Sequence, residues 1–144
     1  MKIKAYKNPS FNSKILFFIL IILSLNLISA RSFAQHNNWF VPGAAKNAEN
    51  PLVGNNSVLA DAKTLYVANC APCHGIKGKG DGFAAQALIP KPADHSSAIV
   101  QSETDGSLFW KLSEGRNPMP SYKKILTVQQ RWELVNYIRT LAKH

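Results

Sequence analysis

The hydrophobic positions of this chain form one long apolar run, followed by shorter patterns of helical period. The run covers Ile15–Ile28 and is interrupted only by Ser24 and Asn26. Beyond residue 57, apolar side chains recur three or four positions apart, and no segment alternates in the way that predicts a β-strand. The pattern therefore predicts an all-α fold for the C-terminal part of the chain.

Three segments carry this helical period. The first begins near Val58, and the second follows a potential N-cap within residues 102–105 and ends at Gly115. The third begins at a capping box formed by Thr127 and Gln130 and continues to the C-terminus. Its apolar face comprises Val128, Trp132, Val135, Ile138 and Ala142. A shorter helical piece is expected from Phe83 to Leu88, before two prolines.

The long apolar run belongs to an N-terminal leader. Four lysines precede the run, and Ser32-Phe33-Ala34 places small residues where a signal peptidase cleaves. The run is shorter than the ~20 residues that span a bilayer as a helix. We therefore predict a cleaved signal peptide at residues 1–34 and a location in the periplasm, with an uncleaved membrane anchor as the alternative.

Residues 35–57 are rich in Asn, Gly, Pro and Ala and show little periodicity, so they are interpreted as an N-terminal extension of a domain at residues 58–144. The apolar residues Trp39, Phe40 and Val41 are expected to dock this extension onto the domain. A disordered leader is the alternative interpretation.

Removal of the leader reduces the charge of the chain considerably. Residues 1–34 contain five of the 17 Lys and Arg and none of the eight Asp and Glu, so the mature chain has 12 minus 8, or a net +4. This charge is too small to indicate nucleic-acid binding. It suits electrostatic attraction to an acidic protein partner.

Residues Cys70-Ala-Pro-Cys73-His74 form the attachment signature of a c-type haem. Each thiol forms a thioether with one vinyl group of the porphyrin, and the adjacent imidazole binds the iron. A thioredoxin-like pair requires a βαβ setting that the pattern lacks, and a structural zinc site requires further ligands. A disulfide between residues so close in sequence would close a very short loop and stabilise little. One covalent haem c is therefore the prediction.

The second axial ligand decides the chemistry of such an iron. Met119 follows His74 by 45 residues and lies between two prolines, where a methionine has little packing value but a fixed backbone direction. We predict that Met119 is this ligand. His95 is the main rival, although a lone histidine is more often a solvated surface group, and His36 and His144 are weaker candidates.

Four glycines follow the attachment signature: Gly75, Gly78, Gly80 and Gly82. The loop lacks the preceding strand and the GK[ST] ending of a phosphate-binding loop. It is expected to let the backbone pass close to a flat haem.

The motifs CAPCHG and NPMPSY resemble those of class I cytochromes c, especially bacterial single-haem respiratory domains, over about Val58 to Leu141. The resemblance implies a cytochrome c-like fold in which the first and last helices pack, with Ala62 and Tyr66 near Tyr137. It also implies that a proline carbonyl, from Pro90 or Pro92, accepts the N–H of the proximal histidine.

The resemblance implies a monohaem electron carrier rather than an enzyme, with a quinol-oxidising complex or a terminal oxidase or reductase as its partner. Lysines near the motifs are candidates for docking that partner, or are ordinary solvated lysines: Lys77, Lys79, Lys91, Lys123 and Lys124. The alternatives are a haem c subunit of a larger membrane redox complex, with the extension as an interaction arm, or a haem-based peroxidase or gas sensor.

Overall fold

The computed structural model describes residues 39–142, and the regular secondary structure in this part of the chain is helical. The elements are α1 (Gly43–Lys46), α2 (Leu59–Asn69), α3 (Ala71–His74), α4 (Ala98–Gln101), α5 (Asp105–Glu114) and α6 (Val128–Thr140), with 3-10 turns at Asn56–Val58 and Ala85–Ala87. The described residues contain no strand, and their one isolated bridge joins Arg116 to Met119. The all-α prediction is confirmed.

The core lies where α2 packs against α6. Tyr66 of α2 and Leu134 and Val135 of α6 are fully buried and belong to one cluster of core side chains. The rings of Tyr66 and Tyr137 have centroids 5.0 Å apart, so the expected pairing of the two helices is confirmed. Val128 was predicted to lie on the apolar face of α6, but it is the first residue of the helix and is 59% exposed.

Local signals in the sequence set the ends of the longer helices. The side chain of Thr127 accepts a hydrogen bond from Gln130 N, and the Gln130 side chain accepts one from Thr127 N, which is the predicted capping box. Thr104 caps α5 by accepting from Ser107 N, and Gly115 follows the end of α5 with a φ of 67°.

The shorter elements differ from the prediction. The piece expected from Phe83 to Leu88 is only the 3-10 turn at Ala85–Ala87, while α1 and α4 have no counterpart among the predicted helices. Both of these helices have four residues, too few to show a helical period in the sequence.

The described part of the N-terminal extension packs on α5 and α6. Val41 is 5% exposed, whereas Phe40 is 79% exposed, so the expected docking uses only part of the apolar cluster. Asn50 Nδ2 donates to Asp105 at 2.8 Å and to Asn136 Oδ1 at 2.7 Å. Both apolar contact and hydrogen bonds between polar side chains therefore hold this segment.

Arg139 of α6 fixes the chain around the start of α5. Its guanidinium donates to Asp105 Oδ1 at 2.6 and 2.8 Å and to the carbonyl oxygens of Gln101 and Glu103. Because these acceptors lie on both sides of the N-cap, one side chain holds the turn between α4 and α5 against α6.

No helix within residues 39–142 has the length and apolar character that a bilayer span requires. The predicted signal peptide at residues 1–34, together with His36 and His144, lies outside the described residues.

Candidate haem-binding site

Helix α3 presents both cysteines and the adjacent histidine on one turn. Cys73 N and His74 N both donate to Cys70 O, at 3.1 and 2.8 Å, and Pro72 lies in the first turn, where its missing N–H costs nothing. Both cysteines are free thiols. Burial raises the pKa of Cys70 to about 12. The turn therefore places two cysteine side chains beside one imidazole.

The His74 ring is oriented by a backbone carbonyl. Its Nδ1 lies 2.9 Å from the carbonyl oxygen of Ala93. A carbonyl only accepts, so Nδ1 carries the hydrogen and Nε2 keeps the lone pair that a metal requires. Burial lowers the pKa of His74, which favours the neutral ring that binds iron.

The acceptor expected from the resemblance, Pro90 or Pro92, is not the one observed. The carbonyl oxygen of Pro92 lies against Gly80, where a Cβ on the glycine would be 2.6 Å from it. Because the Pro92 carbonyl packs against the glycine loop, it does not accept from His74. The carbonyl of the following residue, Ala93, faces the His74 ring instead.

His95 is buried, contrary to the expectation of a solvated side chain. It is 8% exposed, and its ring stacks on that of His74 with centroids 4.0 Å apart and an interplanar angle of 17°. An iron held between two histidines forms a bond of about 2 Å to each. Rings facing each other at this separation leave no room for a metal between them, which argues against His95 as the second ligand.

Burial, together with the neighbouring His74, lowers the pKa of His95 well below its ordinary value. Its Nδ1 lies 3.1 Å from the hydroxyl of Tyr66, which is itself fully buried. Desolvation also raises the pKa of Tyr66. Both side chains are therefore uncharged near neutral pH, and a neutral ring stacks on His74 without charge repulsion.

The glycine loop closes on α3. Gly80 N donates to His74 O at 2.8 Å and Gly82 N to Cys73 O at 3.1 Å, and a Cβ on Gly82 would overlap the carbonyl oxygens of Ala71 and Pro72. These glycines therefore let the loop backbone come close to the backbone of α3. The sequence had instead indicated that they let the backbone pass close to the haem.

Met119 lies in a turn closed by Arg116. The two residues exchange backbone hydrogen bonds of 2.8 and 2.9 Å, and the partly buried Met119 side chain packs at the edge of the core. After the turn, Tyr122 N donates to Leu112 O at 3.0 Å. The Tyr122 hydroxyl donates to Asn69 O at 2.7 Å, so the Met119 loop is tied to the residue before Cys70.

Apolar side chains are exposed next to α3. Ile76, Phe83 and Ile89 are 68%, 87% and 89% exposed, and the hydrogen bond from Ala84 N to Pro72 O brings Phe83 beside the attachment turn. Exposed apolar groups of this size fit contact with a large flat apolar ligand. Together with two free thiols and an imidazole whose Nε2 is available, they fit a covalently attached haem.

An α-helical fold with such a turn defines a haem-binding electron-transfer domain. The cytochrome c family matches residues 59–142, and the chain belongs to that family. Members of this family bind haem c covalently, so haem binding and electron transfer are the functions of this domain.

The chain is similar to the cytochrome c subunits of quinone-dependent alcohol dehydrogenases from Gluconacetobacter polyoxogenes and Komagataeibacter europaeus. It is 29% identical to each over 118 residues, which cover 74% of this chain and 23% of each relative. The chain thus spans about a quarter of their length. Because 74% of the chain is more than residues 59–144 can supply, the match also includes part of the chain that precedes residue 59.

A solved structure, the reducing HAO-like protein complex of Kuenenia stuttgartiensis, shares the fold with a TM-score of 0.57 and 28% identity. The superposition covers 65% of this chain and 47% of that chain.

Proposed function

We propose that this protein is a periplasmic monohaem c-type cytochrome that carries single electrons between respiratory-chain partners, with His74 and Met119 as the iron ligands. The observation that carries the proposal is the hydrogen bond from His74 Nδ1 to Ala93 O on the same turn as Cys70 and Cys73. It directs the metal-binding nitrogen away from the protein backbone, as a proximal ligand requires.

A bound haem supplies a one-electron couple between ferric and ferrous iron. Cys70 and Cys73 would hold the group covalently, which would prevent its loss outside the cytoplasm. The Ala93 carbonyl fixes the tautomer of His74 and increases the basicity of its ring. The thioether of Met119 is a soft ligand that favours the ferrous state and raises the reduction potential. His74 and Met119 would together hold the iron and would exclude small molecules from it.

Covalent attachment is tested with the pyridine haemochrome spectrum of the purified protein and with extraction by acidified acetone. The native protein should retain its haem and give the spectrum of two thioether bonds. The double variant Cys70→Ala/Cys73→Ala should release all its haem into acetone, while Cys70→Ala alone should retain it through Cys73. Release of haem from the native protein would contradict the proposal.

Periplasmic location rests on the leader at residues 1–34. Osmotic shock of expressing cells followed by intact-mass analysis tests it. The released protein should begin at Gln35 and contain one haem, whereas a chain that keeps its leader in the membrane fraction would support the anchor.

A redox partner would dock by charge, since the mature chain is basic. Lys91 donates to the carbonyl oxygens of Ala85 and Gln86, and Lys123 pairs with Glu114 at 3.1 Å, so these two have partners within the domain. Lys77, Lys79 and Lys124 are exposed and are the better docking candidates. Their replacement by Gln should slow electron transfer most at low ionic strength.

The second candidate is a haem c subunit of a larger membrane redox complex. It is favoured by the relatives from Gluconacetobacter and Komagataeibacter, which are cytochrome c subunits of an alcohol dehydrogenase. Their match to this chain also includes the described part of the N-terminal extension. Native electrophoresis of solubilised membranes separates the two candidates: haem staining at high mass supports a subunit, and staining only in the soluble fraction supports a free carrier.

A haem-based peroxidase or gas sensor would need an open axial position. Carbon monoxide added to the reduced protein at neutral pH tests for one. The spectrum should remain unchanged if Met119 stays bound, and a rapid, large shift of the Soret band would favour the enzyme or sensor instead.

A further inference from the structure

His95 is held in place from three directions. Its backbone N–H donates to Gly78 O at 2.6 Å, and Gln101 Nε2 donates to its carbonyl oxygen at 2.6 Å. Its ring nitrogen Nδ1 lies 3.1 Å from the Tyr66 hydroxyl. Both the main chain and the ring of this residue are therefore fixed, and the ring has little rotational freedom.

Tyr66 connects this residue to the core of the domain. Its ring packs against Tyr137 with centroids 5.0 Å apart, in the centre of the contact between α2 and α6. Its hydroxyl also lies 3.3 Å from the carbonyl oxygen of Gly75, the residue that follows His74. The two helices that form the core thus set the position of the His95 ring.

The hydrogen bond to Ala93 alone does not fix the plane of the His74 ring. Hydrogen bonds tolerate deviations of roughly 30° from linearity, so the imidazole could tilt while keeping its bond at Nδ1. A second ring stacked at 4.0 Å and 17° blocks a tilt toward that side. The carbonyl sets the direction of Nε2, and the stacked ring restricts the ring plane.

We propose that His95 is a positioning residue for the proximal iron ligand, fixing the plane of the His74 imidazole by stacking while Tyr66 holds His95 in register. This inference rests on the assignment of His74 as the proximal ligand. Packing alone would be served by an aliphatic side chain at position 95. The buried ring that is present aligns with His74 and has a polar partner for its nitrogen.

The test uses the haem-loaded protein and variants at the two positions. His95→Phe keeps a ring but loses the nitrogen, His95→Leu removes the ring, and Tyr66→Phe removes only the hydroxyl. The readouts are the haem-methyl shifts in the proton NMR spectrum of the ferric protein and its low-temperature EPR signal. Both depend on the orientation of the axial imidazole.

We expect His95→Leu to change the spread of the haem-methyl shifts and to broaden the EPR signal. His95→Phe and Tyr66→Phe each keep the stacked ring but remove the hydrogen bond between the two residues, so both should show the same smaller change in the direction of His95→Leu. If His95→Leu lowers the unfolding midpoint but leaves the haem-methyl shifts native, the residue only fills space and the proposal is overturned.

If His95→Leu does not accumulate with haem, Tyr66→Phe decides, because unchanged methyl shifts in that variant would also overturn the proposal. Failure of the proposed function would look different, since a native protein that holds no haem would give no paramagnetically shifted methyl signals at all.

Discussion

The His74 and Met119 sides of the proposed site are held in different ways. The His74 ring has a hydrogen bond to Ala93, a stacked neighbour in His95 and the closed glycine loop behind it. Met119 has a backbone pair with Arg116, and its side chain is only partly buried at the edge of the core. On the first side the contacts hold the ring of the ligand itself, whereas on the second they hold mainly the backbone that carries the ligand. Loss of the Met119 thioether should therefore leave the His74 side intact.

The largest effect that separates the two sides is expected from Met119→Ala. Because the thiols and His74 are untouched, the variant should keep its covalent haem. It should lose the weak long-wavelength absorption band of methionine-ligated ferric haem and should bind carbon monoxide when reduced. Ile125→Ala, at a residue 60% exposed, is the matched control and should keep the band. Survival of the band in Met119→Ala would show that another residue is the ligand.

On the His74 side, Gly82→Ala should destabilise the folded protein by about 3 kcal/mol, because the new Cβ overlaps the carbonyl oxygens of Ala71 and Pro72. Gly43→Ala is the control, since a Cβ there meets nothing within 4 Å and lies in a helix, where alanine is favoured by up to ~1 kcal/mol. Denaturant unfolding of both ferric variants measures the difference. Equal stability of the two would mean that the loop does not close tightly on α3.

Alkaline pH should weaken the link between the Met119 loop and α2. Burial raises the pKa of Tyr122 from its ordinary value of 10.0 to about 12, so the neutral form of the side chain is favoured in the folded state. The stability that this group contributes is fully present below pH 10 and is lost as pH rises through 12. Burial also raises the pKa of Tyr66, so its contribution to stability is likewise lost at alkaline pH.

Stability measured by urea unfolding between pH 9 and pH 12 checks this linkage. Tyr122→Phe should flatten the fall in stability with pH, although it also leaves Asn69 O without the hydroxyl donor. A native protein whose stability is constant over this range would contradict the burial of these hydroxyls.

The smallest effect is expected far from both sides, in the extension. Asn50→Ala removes hydrogen bonds to Asp105 and Asn136 and should cost about 1 kcal/mol of folding stability with no change in the haem spectrum. Asn56→Ala, at an exposed position, is the control and should change stability by less. A spectral change in Asn50→Ala would show that the extension influences the site.

Much of the helical frame could be predicted because its signals are local. The Thr127–Gln130 capping box, the Gly115 stop and the periodic positions of α6 each act within a few residues of the element they define. The attachment turn was recognisable for the same reason, since its three functional residues are fixed by covalent chemistry at a set spacing.

The contacts that orient the site could not be predicted, because they join residues distant in sequence. The acceptor for His74 is Ala93, one residue beyond Pro92, and the exact register of that loop depends on how Gly80 packs. The burial of His95 likewise depends on Tyr66, 29 residues earlier in the chain. A single histidine in a polar loop carries no local signal that distinguishes this position from a solvated one.

A potentiometric titration of the purified protein, followed by its visible spectrum, tests the account most directly. A single haem held by His74 and Met119 should give one reversible one-electron transition with low-spin spectra in both redox states. Two separate transitions, or a high-spin ferrous spectrum, would contradict the account of one closed electron-carrying centre.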